Sequence, residues 1–306
     1  MLKGYVKENG IVEESELEKA QLIRAIDPSH EEIRRLVELL GVAEDFVVDP
    51  LDEEERARVE VDEDRVLIIF KVPVKTTEER LPYKTTSIGV IITPERAAMI
   101  SKSEIHFIDE RVKMGVFSIK KRSRLLFQLM NVNANEFLRL LKEIHREIDD
   151  IEEELHKSLR NHEIEMLMSL EKSLVYFVTS LRSNEIVLQR LMKGNVIPLY
   201  EEDRDILEDA MVDNRQALET ASIYSDILSG MMDAYASIIS NNLNIVMKVL
   251  AVVTIVMEIP TVISSFYGMN VILPLQRDPH AYFYVIIWSV ISISLLVWWF
   301  KRKKWI

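Results

Sequence analysis

A carboxylate, Glu258, stands inside a membrane-length run of Val, Ile, Leu and Met, and the residues spaced three or four away on either side are small or polar. Counting back from Gly268 by alternate threes and fours gives Ser265, Thr261, Glu258, Thr254, Ala251, Met247 and Asn244. The same phase continues through Ser240, Ser237, Asp233, Gly230 and Asp226. That spacing puts all of them on one face of an α-helix. Away from this face, only Lys248, Pro260 and Ser264 interrupt the apolar span. Two chemistries fit such a stripe. Small residues let helices approach closely in lipid, whereas hydroxyl, amide and carboxylate oxygens line a water-filled path. Packing accounts for Ala251 and Ser265 but not for Glu258, because a carboxylate facing hydrocarbon costs several kcal/mol. Asp226 and Asp233 extend the face as negative charge, which concentrates cations when repeated around an axis. The chemistry expected is cation passage.

The path needs a membrane element, and the C-terminus supplies two. Residues 246–266 and 281–300 are each close to the roughly 20 apolar residues that cross the hydrocarbon core. Between them, at 267–280, lies a short loop opening with Tyr267-Gly268-Met269-Asn270, and after the second span comes Lys301-Arg302-Lys303-Lys304. A basic tail stays in the cytoplasm, and Arg277 is the only Lys or Arg in the loop. With two spans, the N-terminal part returns to the side of the tail. Both termini are therefore expected in the cytoplasm and the Gly-Met-Asn loop outside.

Three zones precede the membrane. Residues 1–122 mix short β-rich runs with helices and read as an α/β domain. Ser29-His30-Glu31-Glu32 is a capping box that opens a helix through Leu40, stopped by Gly41. Residues 65–74 and 84–93, rich in Val, Ile and Thr, read as two strands joined by a turn. Residues 123–198 read as acidic antiparallel helices, interrupted near Arg160-Asn161-His162 and ended by Gly194 and Pro198. The run Asp149-Asp150-Ile151-Glu152-Glu153-Glu154 is an ordinary solvated face. Residues 199–245 form a stalk that continues unbroken into the first span. A helix over 202–266 would be roughly 95 Å long at 1.5 Å per residue. Its apolar seam (Leu207, Met211, Leu218, Ala221, Leu228, Met232, Tyr235, Ile239, Val246), interrupted by Asn214, Ser225 and Asn242, predicts packing against other copies of the chain. The fold class expected is an α+β membrane protein: a cytoplasmic α/β domain, an acidic helix pair, a long stalk and pore helix, and two C-terminal transmembrane helices.

Composition narrows the function. The chain has 306 residues and a net charge of −12, to which the basic tail contributes in the opposite sense. Such an acid excess excludes nucleic acid as a partner and suits cations. With no cysteine there is no disulfide or thiolate chemistry. Eight scattered glycines form no phosphate loop, and six histidines form no His-Glu-x-x-His site, since His30-Glu31-Glu32-Ile33 ends in Arg34. The reading is not an enzyme. Met1-Leu2-Lys3-Gly4-Tyr5 has neither an apolar signal core nor transit-peptide character. The expected location is a prokaryotic inner membrane, with the lipid bilayer as a partner.

Tyr267-Gly268-Met269-Asn270, the two terminal spans and the ending Lys303-Lys304-Trp305 resemble the CorA magnesium channel family over the whole chain. The resemblance implies a homopentamer whose long helices line a pore, taking up Mg²⁺ and closed by cytosolic Mg²⁺. By resemblance, Gly268, Met269 and Asn270 form the selectivity loop, with the Asn270 amide accepting a hydrated ion. Asn244 matches a deeper pore asparagine, Met247 and Leu250 the apolar constriction, and Asp233 a cytoplasmic acidic ring. Asp49 and Asp209 match the carboxylates that bind regulatory Mg²⁺ between subunits, with Asp52, Glu53 or Asp213 as possible substitutes. Glu258 departs from the family, which commonly has an uncharged residue before the membrane proline, here Pro260. The loop 271–278 also lacks the glutamates often found there. A Zn²⁺, Co²⁺ or Ni²⁺ transporter of the same family stays open as an alternative, as does a membrane-anchored coiled-coil sensor without a pore.

Overall fold

In the computed structural model of the chain the residues described are 1–8, 11–157, 161–271, 273–274, 278–303 and 305. The chain divides into two units, Met1–Gly230 and Met231–Ile306.

The first unit is built on a seven-stranded sheet in the order β2-β1-β3-β7-β6-β5-β4. Its strands are β1 (Leu2–Glu8), β2 (Ile11–Ser15), β3 (Leu22–Ile26), β4 (Arg58–Asp62), β5 (Arg65–Lys75), β6 (Tyr83–Ile92) and β7 (Ala97–Ser101). Only β3 and β7 pair in parallel; the other neighbours are antiparallel. Sequence reading finds β5 and β6, and they form a ten-pair hairpin from Val66↔Ile92 to Lys75↔Tyr83. The run Val66-Leu67-Ile68-Ile69-Phe70 is buried on both faces of the sheet, which is why it is continuously apolar rather than alternating. Leu67 and Ile69 pack with Ile33, Leu36, Leu40 and Phe46 from α1 (His30–Leu40) and α2 (Glu44–Val48). Val66, Ile68 and Phe70 point the other way, toward residues of α3 (His106–Lys113), α4 (Arg122–Lys157) and α5 (Asn161–Met192). The sheet thus lies between two helical layers.

The capping box at α1 is formed as expected. Ser29 Oγ accepts from Glu32 N at 3.3 Å, Glu32 Oε2 accepts from Ser29 N at 2.8 Å, and Gly41 ends the helix at φ 63°. Two buried polar devices join the layers. Arg24 on β3 grips Asp109 on α3 through Nε (2.6 Å) and Nη2 (3.2 Å), while Asp109 also accepts the Ile105 amide at the start of α3. On β5, Asn184 of α5 treats the Lys71 peptide as a neighbouring strand would. Its Oδ1 accepts from Lys71 N at 2.8 Å, and its Nδ2 donates to Lys71 O at 2.8 Å. Asn133 of α4 donates to that carbonyl too, at 2.9 Å. β4 pairs with β5 only as far as Ile69, so these asparagines satisfy backbone groups beyond the paired stretch.

Helix α6 runs Glu201–Tyr267 without interruption, with Pro260 inside it. Within the first unit its seam is used differently from the sequence expectation. Of the seam, Leu207, Ala221 and Leu228 are buried, Met211 and Leu218 are half-buried beside the buried Ala210 and Ala217, and Asn214, read as a seam defect, is buried and donates to Leu181 O on α5 at 3.0 Å. This part of the seam packs against the chain's own helices, so it no longer argues for other copies. The interruption near Arg160 falls between α4 and α5, but residues 158–160 lie outside those described.

The second unit contains the remainder of α6 and α7 (Ala281–Arg302). Both helices are long and apolar enough to cross a membrane. Of the described residues here, Tyr235, Val252, Ser289 and Phe300 are buried, whereas Leu243, Val246, Leu250, Trp288 and Leu295 are exposed. Arg302 lies over the Trp298 ring at 5.4 Å, and Trp305 contacts Phe300 at 5.5 Å, placing aromatic and basic groups together at the end of α7. Lys304 lies outside the described residues.

Candidate functional site

The polar stripe is helical throughout, since Asp233, Asn244, Met247, Leu250, Ala251, Thr254, Glu258, Thr261 and Ser265 all fall within α6, and all nine are exposed. Three hydroxyls of this face share one orientation. Ser237 Oγ donates to Asp233 O (3.0 Å), Thr254 Oγ1 to Leu250 O (2.9 Å) and Thr261 Oγ1 to Met257 O (3.1 Å). A hydroxyl whose proton is tied to its own helix has lone pairs left to offer outward. Such a face accepts hydrogen bonds, which suits the water shell of a cation. Thr261 stands directly after Pro260, whose missing amide costs the helix one hydrogen bond. Asn244, Glu258 and Asp233 make no side-chain hydrogen bond or ion pair among the described residues.

At the far end of α6, Gly268 N donates to Ser264 O (2.9 Å) and Met269 N to Phe266 O (3.2 Å), so the tripeptide begins as the fraying last turn of the helix. A Cβ at Gly268 would meet only Ser264 O and Ser265 O, at 3.4 and 3.5 Å. Among the described residues, nothing in the packing demands glycine there. Tyr267 Oη donates to Pro274 O at 3.4 Å, tying the helix end to its loop. Arg277, Ile272, Leu275 and Gln276 lie outside the described residues. Asp278 Oδ1 accepts from His280 N (2.8 Å) just before α7.

The two carboxylates expected to sense Mg²⁺ differ sharply. Asp49 opens a 3₁₀ turn, Asp49–Leu51, that is seated on β6. A Cβ at Gly89 would fall 2.2 Å from Pro50 Cγ, so the turn reaches the sheet only because position 89 has no side chain. Asp49 is half-buried and its Oδ2 accepts from Arg58 Nη2 at 2.5 Å. Arg58, on the edge strand β4, also reaches Glu55 and, at 3.4 Å, Glu60. Burial pulls the Arg58 guanidinium down, but Asp49, Glu55 and Glu60 outweigh it and hold the group above its ordinary value.

The acidic turn that follows is anchored from below. Lys71 Nζ donates to Glu53 O (2.7 Å) and Ser87 Oγ (3.0 Å), and Lys84 Nζ reaches Glu53 Oε2 at 3.2 Å. Burial lowers the Lys71 ammonium, partly offset by Asp52, Glu55, Glu53 and Glu54 around it. Glu53 is therefore occupied by the chain's own cations. Asp209 on α6 is exposed, with no hydrogen bond or ion pair among the described residues, and Asp213 accepts from Asn135 Nδ2 at 2.9 Å. No hydrogen bond or ion pair joins Asp49 to Asp209 within the chain. Among the described residues no group of three or more His, Cys, Asp or Glu is placed to hold a metal.

Sequence reasoning missed Arg58, although an arginine at the centre of Glu53-Glu54-Glu55-Arg56-Ala57-Arg58-Val59-Glu60 is itself the signal. It also missed a groove of about 730 Å³ bordered by Lys75, Arg111, Arg139, Glu104, Glu110 and Glu136. Its charges balance, and of the residues expected to hold regulatory Mg²⁺ only the substitute Glu53 borders it.

The family described as "CorA-like Mg2+ transporter protein" matches residues 20–302. The cobalt/magnesium transport protein CorA of Methanocaldococcus jannaschii is 33% identical over 293 residues, covering 93% of this chain and 90% of that one. Its namesake from Thermotoga maritima is 28% identical over 282 residues, covering 90% and 80%. The complete structure of the CorA magnesium transporter from M. jannaschii superposes with a TM-score of 0.84 at 29% identity, covering 100% of this chain and 98% of that one. The full-length CmaX protein shares the fold alone, with a TM-score of 0.73 at 16% identity.

Proposed function

Given that the chain belongs to the CorA-like Mg²⁺ transporter family and is a transport protein rather than an enzyme, we propose that it is a homopentameric channel taking up Mg²⁺. In this reading five copies of α6 surround the path, and cytosolic Mg²⁺ closes it. The observation that carries the reading is the single face of α6 where hydroxyl lone pairs, Asn244 and Glu258 stand exposed inside a membrane-length apolar helix that ends at Gly-Met-Asn. A sensor needs only a span and a stalk, and it has no use for that face.

Mg²⁺ sheds its first water shell reluctantly. The Asn270 amide oxygen, with those of Gly268 and Met269 nearby, would accept hydrogen bonds from bound water at the outer mouth. Thr261, Thr254 and Asn244 would continue that water-mediated contact, and Glu258 and Asp233 would add negative charge. Met247 and Leu250, both exposed on the helix, would form the apolar constriction that stops a hydrated ion. A dication falling through 100 mV gains about 4.6 kcal/mol, twice the single-charge value, so inward flow needs no nucleotide. The basic end of α7 would keep the termini cytoplasmic. Relatives named for both cobalt and magnesium support a reading in which Co²⁺ is a second cargo beside Mg²⁺.

For regulation, Asp49 and Asp209 offer the all-oxygen donors that Mg²⁺ prefers, from opposite sides of a contact between copies. One chain supplies too few ligands, so water and the neighbouring copy would complete the shell. The test of the path is Asn270→Ala. Uptake should fall at least tenfold with oligomer and melting temperature unchanged; full uptake in the folded variant would remove Asn270 from the mouth.

A further inference from the structure

We propose that Arg58 is a tethered cation competing with Mg²⁺ for Asp49, so that displacement of this one side chain sets the cytosolic Mg²⁺ concentration at which the channel closes. The inference rests on the reading of Asp49 as a regulatory ligand and adds what controls its affinity.

Three observations carry it. First, Asp49 is not a waiting anion: the Arg58 guanidinium neutralises it at 2.5 Å, whereas Asp209 stands exposed with no side-chain partner among the described residues. A dication approaching the pair meets one free carboxylate and one already compensated. Second, Pro50 is pressed against Gly89 and seats the backbone of the turn on the sheet, so Asp49 is presented beside Arg58. Third, Arg58 can leave. It sits on an edge strand with about a third of its side chain exposed, and it already touches Glu55 and Glu60. When a metal takes Asp49, the guanidinium keeps two carboxylate partners, so its departure strands no charge.

The exchange is therefore one cation for another at a carboxylate whose turn is seated on the sheet. Its set point depends on the Arg58–Asp49 bond, a charge-assisted contact at a half-exposed site. Breaking it should shift Mg²⁺ affinity by about two- to fivefold. Lysine at this position would keep the charge but not the planar fork that spans three carboxylates.

The test is limited proteolysis of the full-length protein in detergent, titrated with MgCl₂, for wild type, Arg58→Gln, Arg58→Lys and Asp49→Asn. Melting without Mg²⁺ establishes that each variant is folded. Protection in Arg58→Gln should reach its midpoint at about two- to fivefold lower Mg²⁺. Arg58→Lys should stay near wild type, and Asp49→Asn should need more Mg²⁺. A shifted Asp49→Asn with an unmoved or raised midpoint for Arg58→Gln overturns the competition alone, and makes Arg58 a support for the turn. An unmoved midpoint in Asp49→Asn overturns both the competition and the regulatory reading of Asp49.

Discussion

Helix α6 carries the same residue types on both sides of Gly230, and they meet opposite fates. Before it, Leu207, Ala217, Ala221 and Leu228 are buried, and Asn214 spends its amide on the Leu181 carbonyl. Beyond it, Leu243, Val246, Met247 and Leu250 are exposed, and Asn244 has no hydrogen-bond partner among the described residues. The first unit supplies its own core and its own counter-charges. The second presents apolar side chains suited to lipid and polar ones suited to an ion's water shell. A stalk helix can therefore read as one continuous heptad seam while different partners cover its two parts.

The contrast predicts where damage shows. Arg24→Leu should have the largest effect, because it leaves the Asp109 carboxylate buried without its cation. The expected cost is about 3–5 kcal/mol, seen as a large drop in the melting temperature of the first unit. Glu258→Gln, on the exposed stripe, should leave that transition in place. Equal melting curves for Arg24→Leu and wild type would show that the first unit does not depend on its internal pairs.

A smaller effect belongs to the cap of α1. Ser29→Ala should cost about 1 kcal/mol at neutral pH by leaving a helix amide without its acceptor. The other half of the box gives a pH signature. The Glu32 carboxyl is held below its ordinary value chiefly by the Ser29 amide, against a smaller opposing effect of burial. A depressed carboxyl contributes stability above its unfolded value and loses it as pH falls through the folded one. Glu32→Gln should flatten the acid limb of stability below about pH 4.5; an unchanged limb would remove the box from the account.

What was legible in the sequence was local. The Ser29–Glu32 box, the β5–β6 hairpin, the break before α6 and the two spans all follow from signals within about ten residues. The short strands β1, β2, β3, β4 and β7 were not apparent, because strands of five to seven residues give too little alternation to stand out. Contacts between distant residues were equally hidden. Arg24 and Asp109 are 85 residues apart, and Lys71 and Asn184 are 113 apart. The polar stripe was readable because a helix repeats every 3.6 residues whatever covers it. What covers it was not, and the Asn214 side of the seam shows the cost: periodicity identifies a face that needs a partner, but not whether the partner is the same chain. Asp49 teaches the same lesson in charge, since its arginine was in view nine residues on and a spacing rule does not cover that pairing.

The central claim is that α6 lines a path down which a divalent cation runs on membrane potential alone. The direct measurement is Mg²⁺ entry into liposomes holding the purified full-length protein, with an inside-negative potential imposed and no nucleotide present. The account predicts uptake that rises with the imposed voltage and stops when the potential is collapsed. Voltage-independent uptake, or none from protein shown to be folded and inserted, would contradict it.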